Sequence, residues 1–315
     1  AGRGATLGRV TDVAGPPPVP FADRLAEAVE RKRTQVVVGL DPVLDMLPVE
    51  LRGEAAAGRA AAAGAVQRFC TGIVDAVAPY VVAVKPQVAF FEALGSDGWR
   101  ALEHVSAHAR DAGLLVIGDA KRGDVGSTAR AYASAFLERR NGEPPLADAL
   151  TVSPFLGRDS LDPFFAACRR DGAGVFLLVR TSNPGAAELQ DAVLSDGRPL
   201  WRQLAELVDQ WGEDLVGARG LSSVGAVVGA TVPRIVGEAR REMPRAIILL
   251  PGVGAQGATP ADVARAFTSG PSSALVNASR SVIYAFRDAP ADDWRAAAAA
   301  EAARLQGAVW AAAGW

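Results

Sequence analysis

Short runs of apolar, largely β-branched residues recur along this chain, each followed by a longer stretch with helical spacing. They are QVVVGLD at 35–41, YVVAVKPQ at 80–87, LLVIGDAK at 114–121 and ALTVSP at 149–154. The series continues with GVFLLVRTS at 174–182, VGAVVGAT at 224–231, AIILLPGVG at 246–254 and SALVNASR at 273–280. Hydrophobicity that is continuous rather than alternating is what a strand covered on both faces requires. About eight strand and helix pairs is the count of a closed parallel barrel, so the expected class is α/β and the expected fold a (β/α)8 TIM barrel with outer helices. A doubly wound open sheet is the alternative, and the count of eight weighs against it.

Helix signals divide the chain in the same way. Thr259 is placed as an N-cap, with Pro260 at the first helical position and Asp262 at the third, a start favourable in geometry and dipole. The segment GRDSLDPFFAACRRDG after the fourth run ends in Gly172, a C-cap candidate. One connection breaks the rhythm: between Ser182 and Val224 only 199–211 forms a firm amphipathic pattern. A long Gly- and Asp-containing connection after a barrel strand points to function, and the expectation over 183–223 is a mobile cover for ligand. Residues 1–20, rich in Gly and Pro without the apolar core of a signal peptide, are expected to be a flexible extension of a single barrel domain over 21–315.

Composition narrows the function class. Half of the 315 residues are hydrophobic and 22% charged, enough for a full core, and the formal net charge is -2. No basic excess points to nucleic acid or an anionic membrane surface. The Ala-rich segments at 54–66 and 295–313 are interrupted by Arg and Glu, so they are expected as helices and not membrane spans. Only two cysteines occur, Cys70 and Cys168, both in helical stretches; they suit packing in a reducing cytoplasm better than a disulfide scaffold.

Polar residues gather where the apolar runs end. Asp41, Lys85, Asp119, Lys121, Ser182, Thr231 and Arg280 all fall there, the rim on which barrel enzymes build their sites. One Asp after a strand is ordinarily a turn former; the repetition is the signal. In GDAKRGDVGST at 118–128, Asp119 and Lys121 are two apart and so share the inward face of a strand, while Asp124 lies where the next helix starts. With Lys85 they make two ammonium groups and two carboxylates. A salt-bridge network stapling the rim is one reading of such a cluster; the other is a lysine donating a proton to a developing carbanion while an aspartate repels a substrate carboxylate.

The segment PGVGAQG at 251–257 matches G-x-G-x-x-G in form, but it follows the seventh run and no acidic residue stands at the dinucleotide position. A phosphate site built by the loops after strands seven and eight accounts for it better. Backbone N–H groups, Gln256 and the Arg280 guanidinium would hold a phosphate monoester.

Taken together, GDAKRGDVGST, VVVGLDP, AVKPQVAFFEALG, VRTSNPGA, LLPGVGAQG and VNASRSVIYA resemble orotidine 5'-monophosphate decarboxylase, of the longer bacterial subgroup called type 2, from about Phe21 to Phe286. The resemblance implies conversion of orotidine 5'-phosphate (OMP) to UMP and CO2 in pyrimidine biosynthesis, with no metal or organic cofactor. It implies that Lys121 protonates C6, that Asp119 sits against the scissile carboxylate, and that Lys85 orients Asp119 and touches the ribose. Asp41 would accept from a ribose hydroxyl, Ser182 and Gln87 would contact the substrate, and Pro251, Gln256 and Arg280 would hold the phosphate end. Asp124 and Thr128 match residues the family inserts into the neighbouring subunit's site, which implies a homodimer with shared sites. Two rival functions remain: a magnesium-dependent sugar-phosphate decarboxylase or aldolase of the same superfamily, and a non-catalytic nucleotide-phosphate sensor. The chain's histidines, His104 and His108, share a helix face with metal-ligand spacing, but on an outer helix away from the mouth.

Overall fold

Each apolar run becomes a strand: β1 (Val36–Leu40), β2 (Ala83–Pro86), β3 (Leu115–Arg122), β4 (Ala149–Val152), β5 (Gly174–Arg180), β6 (Ser222–Val228), β7 (Ala246–Pro251) and β8 (Ala274–Ala278). In the computed structural model, which describes residues 18–139, 143–254, 257–287 and 293–315, they form a closed parallel barrel in sequence order. β8 returns to β1 with Val37 opposite Asn277. The strands are shorter than the runs, because Asp41, Gln87, Ser182 and Arg280 lie past the end of the ladder, where the chain turns toward a helix. The (β/α)8 expectation is met.

Two apolar layers hold the barrel. Alternation within β1 sends Val37 inside and Val36 and Val38 outward, and all three are fully buried. Inside, Val37 packs with Ala83, Ile117, Ala149, Phe176, Ile247 and Leu275. The amino end of this interior is closed by the helix Phe21–Lys32, whose Phe21, Leu25 and Val29 join the same cluster. Phe21 meets Phe176 edge to face, with centroids 5.9 Å apart. Outside, Phe69, Ile73, Val105 and Phe164 from the surrounding helices pack on the outward strand residues.

The cap signals are realised. Gly172 takes φ 67° after the helix Arg158–Asp171. Thr259 N–H and its hydroxyl donate to Asp262 Oδ2 at 2.8 and 2.7 Å, although the element they start, Pro260–Phe267, winds as a 3-10 helix. The first Ala-rich region is two helices, Val49–Ala55 and Arg59–Val77, separated at Gly58, which has φ 131°. The second is the helix Trp294–Ala313, packed on Arg59–Val77 outside the barrel. No helix among the described residues is long and apolar enough to cross a membrane. Cys70 and Cys168 are buried within Arg59–Val77 and Arg158–Asp171; burial pushes the Cys168 thiol up to about 12.

The connection from β5 to β6 carries the expected amphipathic helix, Leu200–Trp211, and also a short helix, Ala186–Gln190, and a 3-10 turn, Glu213–Leu215. Its start is strapped to the barrel: Arg180 donates to both oxygens of Asp191 at 2.8 and 3.0 Å, and Thr181 N–H donates to Gln190 Oε1 at 2.7 Å. Residues 1–17 of the expected extension lie outside the described residues. His104 and His108 lie on the outer helix Gly95–Asp111, where His108 Nε2 is 2.6 Å from Asp75 Oδ1.

Candidate active site

β3 ends irregularly, and that irregularity builds the site. Its register with β4 shifts between Gly118 and Arg122, and Lys121 within the bulge has φ 48°. A lysine in the left-handed region is costly and persists only where its surroundings hold it. Here Lys121 N–H donates to Thr151 Oγ1 of β4 at 3.0 Å. The simple alternation expected of Asp119 and Lys121 is therefore not what aims Lys121; the bulge is. Even so, Lys121 Nζ comes to 2.5 Å from Asp119 Oδ1.

Asp119 is the hub. Lys85 Nζ donates to its Oδ2, Gln87 Nε2 donates to the same oxygen at 3.0 Å, and Thr151 Oγ1 donates to Oδ1 at 3.0 Å. Asp119 and Lys85 are 6% and 5% exposed, so their charges meet away from water. Burial pushes the Asp119 carboxyl up, but the ammonium groups of Lys85 and Lys121 outweigh it and hold the carboxyl below the usual carboxylate range. Burial by itself lowers Lys85; Asp119 and Asp41 reverse this and raise it above the ordinary lysine value. Both groups are ionised near neutrality.

A cavity of about 170 Å³ opens beside this pair at the carboxyl ends of β1, β2, β7 and β8. Its wall includes Asp41, Lys85, Gln87, Asp119, Pro251 and Arg280 of the residues expected from sequence. Tyr284 positions Asp41: its hydroxyl donates to Asp41 C=O at 2.8 Å and accepts from Val43 N–H at 2.7 Å. The Gly-rich loop after β7 turns through Gly252, Gly254 and Gly257, with φ 107°, 84° and 90°. Arg280 opens the turn of helix after β8, exposed at the cavity rim. Gln256 lies outside the described residues.

Five expected residues are not on this wall: Ser182, Asp124, Thr128, Thr231 and also Lys121, which reaches the cavity's edge only through its contact with Asp119. Ser182 follows β5, where Gly229 lets the chain pass closely: a Cβ on Gly229 would sit 2.7 Å from Ser182 Cα. Asp124 makes no ion pair with either lysine among the described residues; its Oδ1 accepts from Val125 N–H at 2.7 Å. Thr128 is exposed on the first turn of the helix Gly126–Leu137, and Thr231 is exposed beyond β6. Thr151, Asn277 and Ser279 were not singled out from the sequence. The signal was present in ALTVSP and ALVNAS, where a polar residue occupies an inward position of an apolar run. A larger cavity, of about 470 Å³, lies between outer helices around Trp99 and Arg110, away from the charged strand ends. Among the described residues, no group of three His, Cys, Asp or Glu side chains is placed to hold a metal ion.

The family model for the orotidine 5'-phosphate decarboxylase / HUMPS family matches residues 34–297, a span that includes all of these strand ends. The chain belongs to that family. It is 47% identical to the orotidine 5'-phosphate decarboxylase of Rhodopirellula baltica, over 85% of this chain and 89% of that protein. To the Deinococcus radiodurans enzyme of the same name it is 44% identical, over 84% and 89%. The solved structure of Leishmania donovani OMP decarboxylase superposes with a TM-score of 0.68 and 32% identity, covering 92% of this chain and all of that one. In this orotidine 5'-phosphate decarboxylase / HUMPS family member, the charged strand ends and the Gly-rich loop meet at one mouth.

Proposed function

We propose that this chain decarboxylates orotidine 5'-phosphate to UMP and CO2, as a carboxy-lyase that uses its own side chains. The observation that carries the reading is the buried Asp119 carboxylate clamped between Lys85 and Lys121 beside a cavity that ends in Arg280 and a Gly-rich loop. The C6–carboxylate bond breaks, its electron pair stays on C6 and CO2 departs; the Lys121 ammonium then gives its proton to C6 and regains one from solvent. Asp119, ionised and fixed, faces the substrate carboxylate and favours its loss, while the cations favour the developing carbanion. Lys85 and Gln87 hold Asp119 in place.

Without an electron sink this reaction demands roughly 20 kcal/mol of barrier lowering, near the top of the enzymatic range. Three local charges are too few. Binding energy from the distant phosphate must be realised at the reacting carbon, so Arg280, Gln256 and Pro251 serve rate as well as affinity. Ser182 is assigned to the pyrimidine edge, and the connection 183–223 to a cover that closes over bound nucleotide.

The site is completed by a second copy in a homodimer. Asp124 and Thr128 stand apart from their own chain's ion cluster, next to Val125, Phe155 and Leu156, which are 52%, 74% and 47% exposed on the adjoining loops after β3 and β4. Solvent-facing apolar side chains of this size suit contact with a partner. Two buried free cysteines fit a cytoplasmic setting.

The test is the loss of ultraviolet absorbance of OMP on adding purified, exhaustively chelated protein. Turnover that survives chelation is expected. A strict magnesium requirement would favour the sugar-phosphate reading, and tight UMP binding with no turnover would favour a sensor.

A further inference from the structure

Arg122, the last residue of β3, directly follows the proposed proton donor and is not part of the cavity wall. The peptide group that joins Ala120 to Lys121 is held at both ends by side chains. Its N–H donates to Thr151 Oγ1 at 3.0 Å, and its C=O accepts from Arg122 Nη1 at 3.2 Å. Those two bonds restrain the rotations on either side of the peptide, ψ of Ala120 and φ of Lys121, and so bear on the φ of 48° that aims the ammonium. The guanidinium is itself clamped by two other elements. Its Nη2 donates to Glu92, the last residue of the short helix Val88–Glu92 that starts just after Gln87. Its carbon lies 5.4 Å from the Tyr132 ring centroid and 5.5 Å from that of Phe136, both on the helix Gly126–Leu137. Arg122 Nε is buried with no acceptor among the described residues. A guanidinium serving solubility alone would keep that donor in water; its burial shows that the rings and Glu92, not solvent, decide where the group sits.

We propose that Arg122 is a positioning residue, whose planar guanidinium ties the helix following Lys85 and Gln87 to the β3 bulge and thereby holds the Lys121 ammonium against the reacting carbon. This rests on the decarboxylase reading given above. Among the described residues Arg122 bonds to no side chain of the Lys85–Asp119–Lys121 cluster; it acts through the Ala120 carbonyl. The fork is needed because one nitrogen reaches Glu92 and another Ala120 while the plane lies near two rings. A lysine, a single point charge on a flexible stem, does not do all three.

Steady-state turnover of OMP, divided by the number of sites that bind UMP in calorimetric titration, tests the assignment. Arg122→Met keeps the stem and removes the guanidinium. Its kcat per UMP-binding site should fall by about thirtyfold or more, with KM and UMP affinity within about threefold of wild type, because a small misplacement of a reacting group costs rate and spares binding. Arg122→Lys restores the charge without the fork and should recover less than about a tenth of the lost rate. Thr151→Val releases the other end of the same peptide group, so adding Arg122→Met to it should lower kcat by less than about threefold more. Should Arg122→Met not fold, Glu92→Ala, at a side chain 40% exposed, removes one clamp from outside and should lower kcat per site by about tenfold. A wild-type kcat per site in Arg122→Met, or in Glu92→Ala where the first does not fold, overturns the proposal: Arg122 is then a staple for stability alone. Full recovery in Arg122→Lys, or losses that multiply in the Thr151→Val background, overturns it as well. If wild type consumes no OMP, the decarboxylase reading itself fails; if it does and the variants match it site for site, only the role of Arg122 falls.

Discussion

At the scale of single residues, the proposed chemistry turns on a lysine held at φ 48° with its ammonium 2.5 Å from Asp119 Oδ1. Lys121→Ala removes the proposed proton donor and leaves the phosphate end untouched. Turnover should fall by at least about a thousandfold while UMP still binds within severalfold of wild type, as read by steady-state assay and titration; substantial residual turnover would remove Lys121 from the reaction. Asp119 makes a separate claim on stability. Asp119→Ala leaves the buried Lys85 ammonium without its counter-ion, a loss of about 3–5 kcal/mol. The apolar pair Lys85→Met with Asp119→Leu should recover much of that in urea unfolding, yet remain inactive. The pH limbs follow from the signs. Asp119, depressed in the fold, contributes stability that is present above about pH 4 and lost as pH falls through its lower folded value. Lys85, raised in the fold, contributes stability that is present below about pH 10 and lost as pH rises through its higher folded value. Wild type should therefore lose stability relative to the apolar double variant at both extremes and hold it between.

Among the elements, the strands were legible because burial on both faces leaves nearly unbroken Val, Ile and Leu runs, and the helix boundaries because Thr259–Pro260–Asp262 at a start and Gly172 at an end act locally. What the sequence concealed depends on the partner strand. Lysine carries no preference for positive φ, so nothing in GDAKRGD announces the β3 bulge; it exists because Thr151 of β4 receives the Lys121 N–H. Asn277 and Ser279 looked like the ordinary end of a strand until Gly39 was seen to face them. The loop after β7 joins both kinds of information. Its glycines were visible in sequence, and the fold adds that Gly254 has φ 84° and that a Cβ there would come 2.9 Å from Ser281 Oγ. Gly254→Ala should therefore displace the loop from Arg280 and raise KM for OMP by about tenfold or more, from roughly 1–2 kcal/mol of backbone strain and crowding. A phosphate-free nucleoside should bind equally to both proteins; a matching loss for the nucleoside would mean that the loop does not hold phosphate.

Over the whole molecule, the charged groups divide into two sets. Lys85, Asp119 and Lys121 converge within one barrel, whereas Asp124 caps Val125 N–H at the start of the next helix, beside the exposed Phe155 and Leu156. A chain that worked alone would gain from burying those side chains and from turning Asp124 inward. The proposed two-fold pair would resolve both features, because an isologous contact at the mouth would cover the apolar loops of each copy with the other and carry each Asp124 to the opposite cavity. Chains with Asp124→Ala and chains with Lys121→Ala are each expected to be inactive by themselves. When they are mixed and allowed to exchange, half of the pairs are mixed, and each mixed pair holds one site with Lys121 from one chain and Asp124 from the other. Activity should return to about a quarter of the wild-type value per chain. Native mass spectrometry of the mixture establishes that the chains have exchanged; if mixed pairs are abundant and the assay stays silent, Asp124 acts within its own chain or not at all.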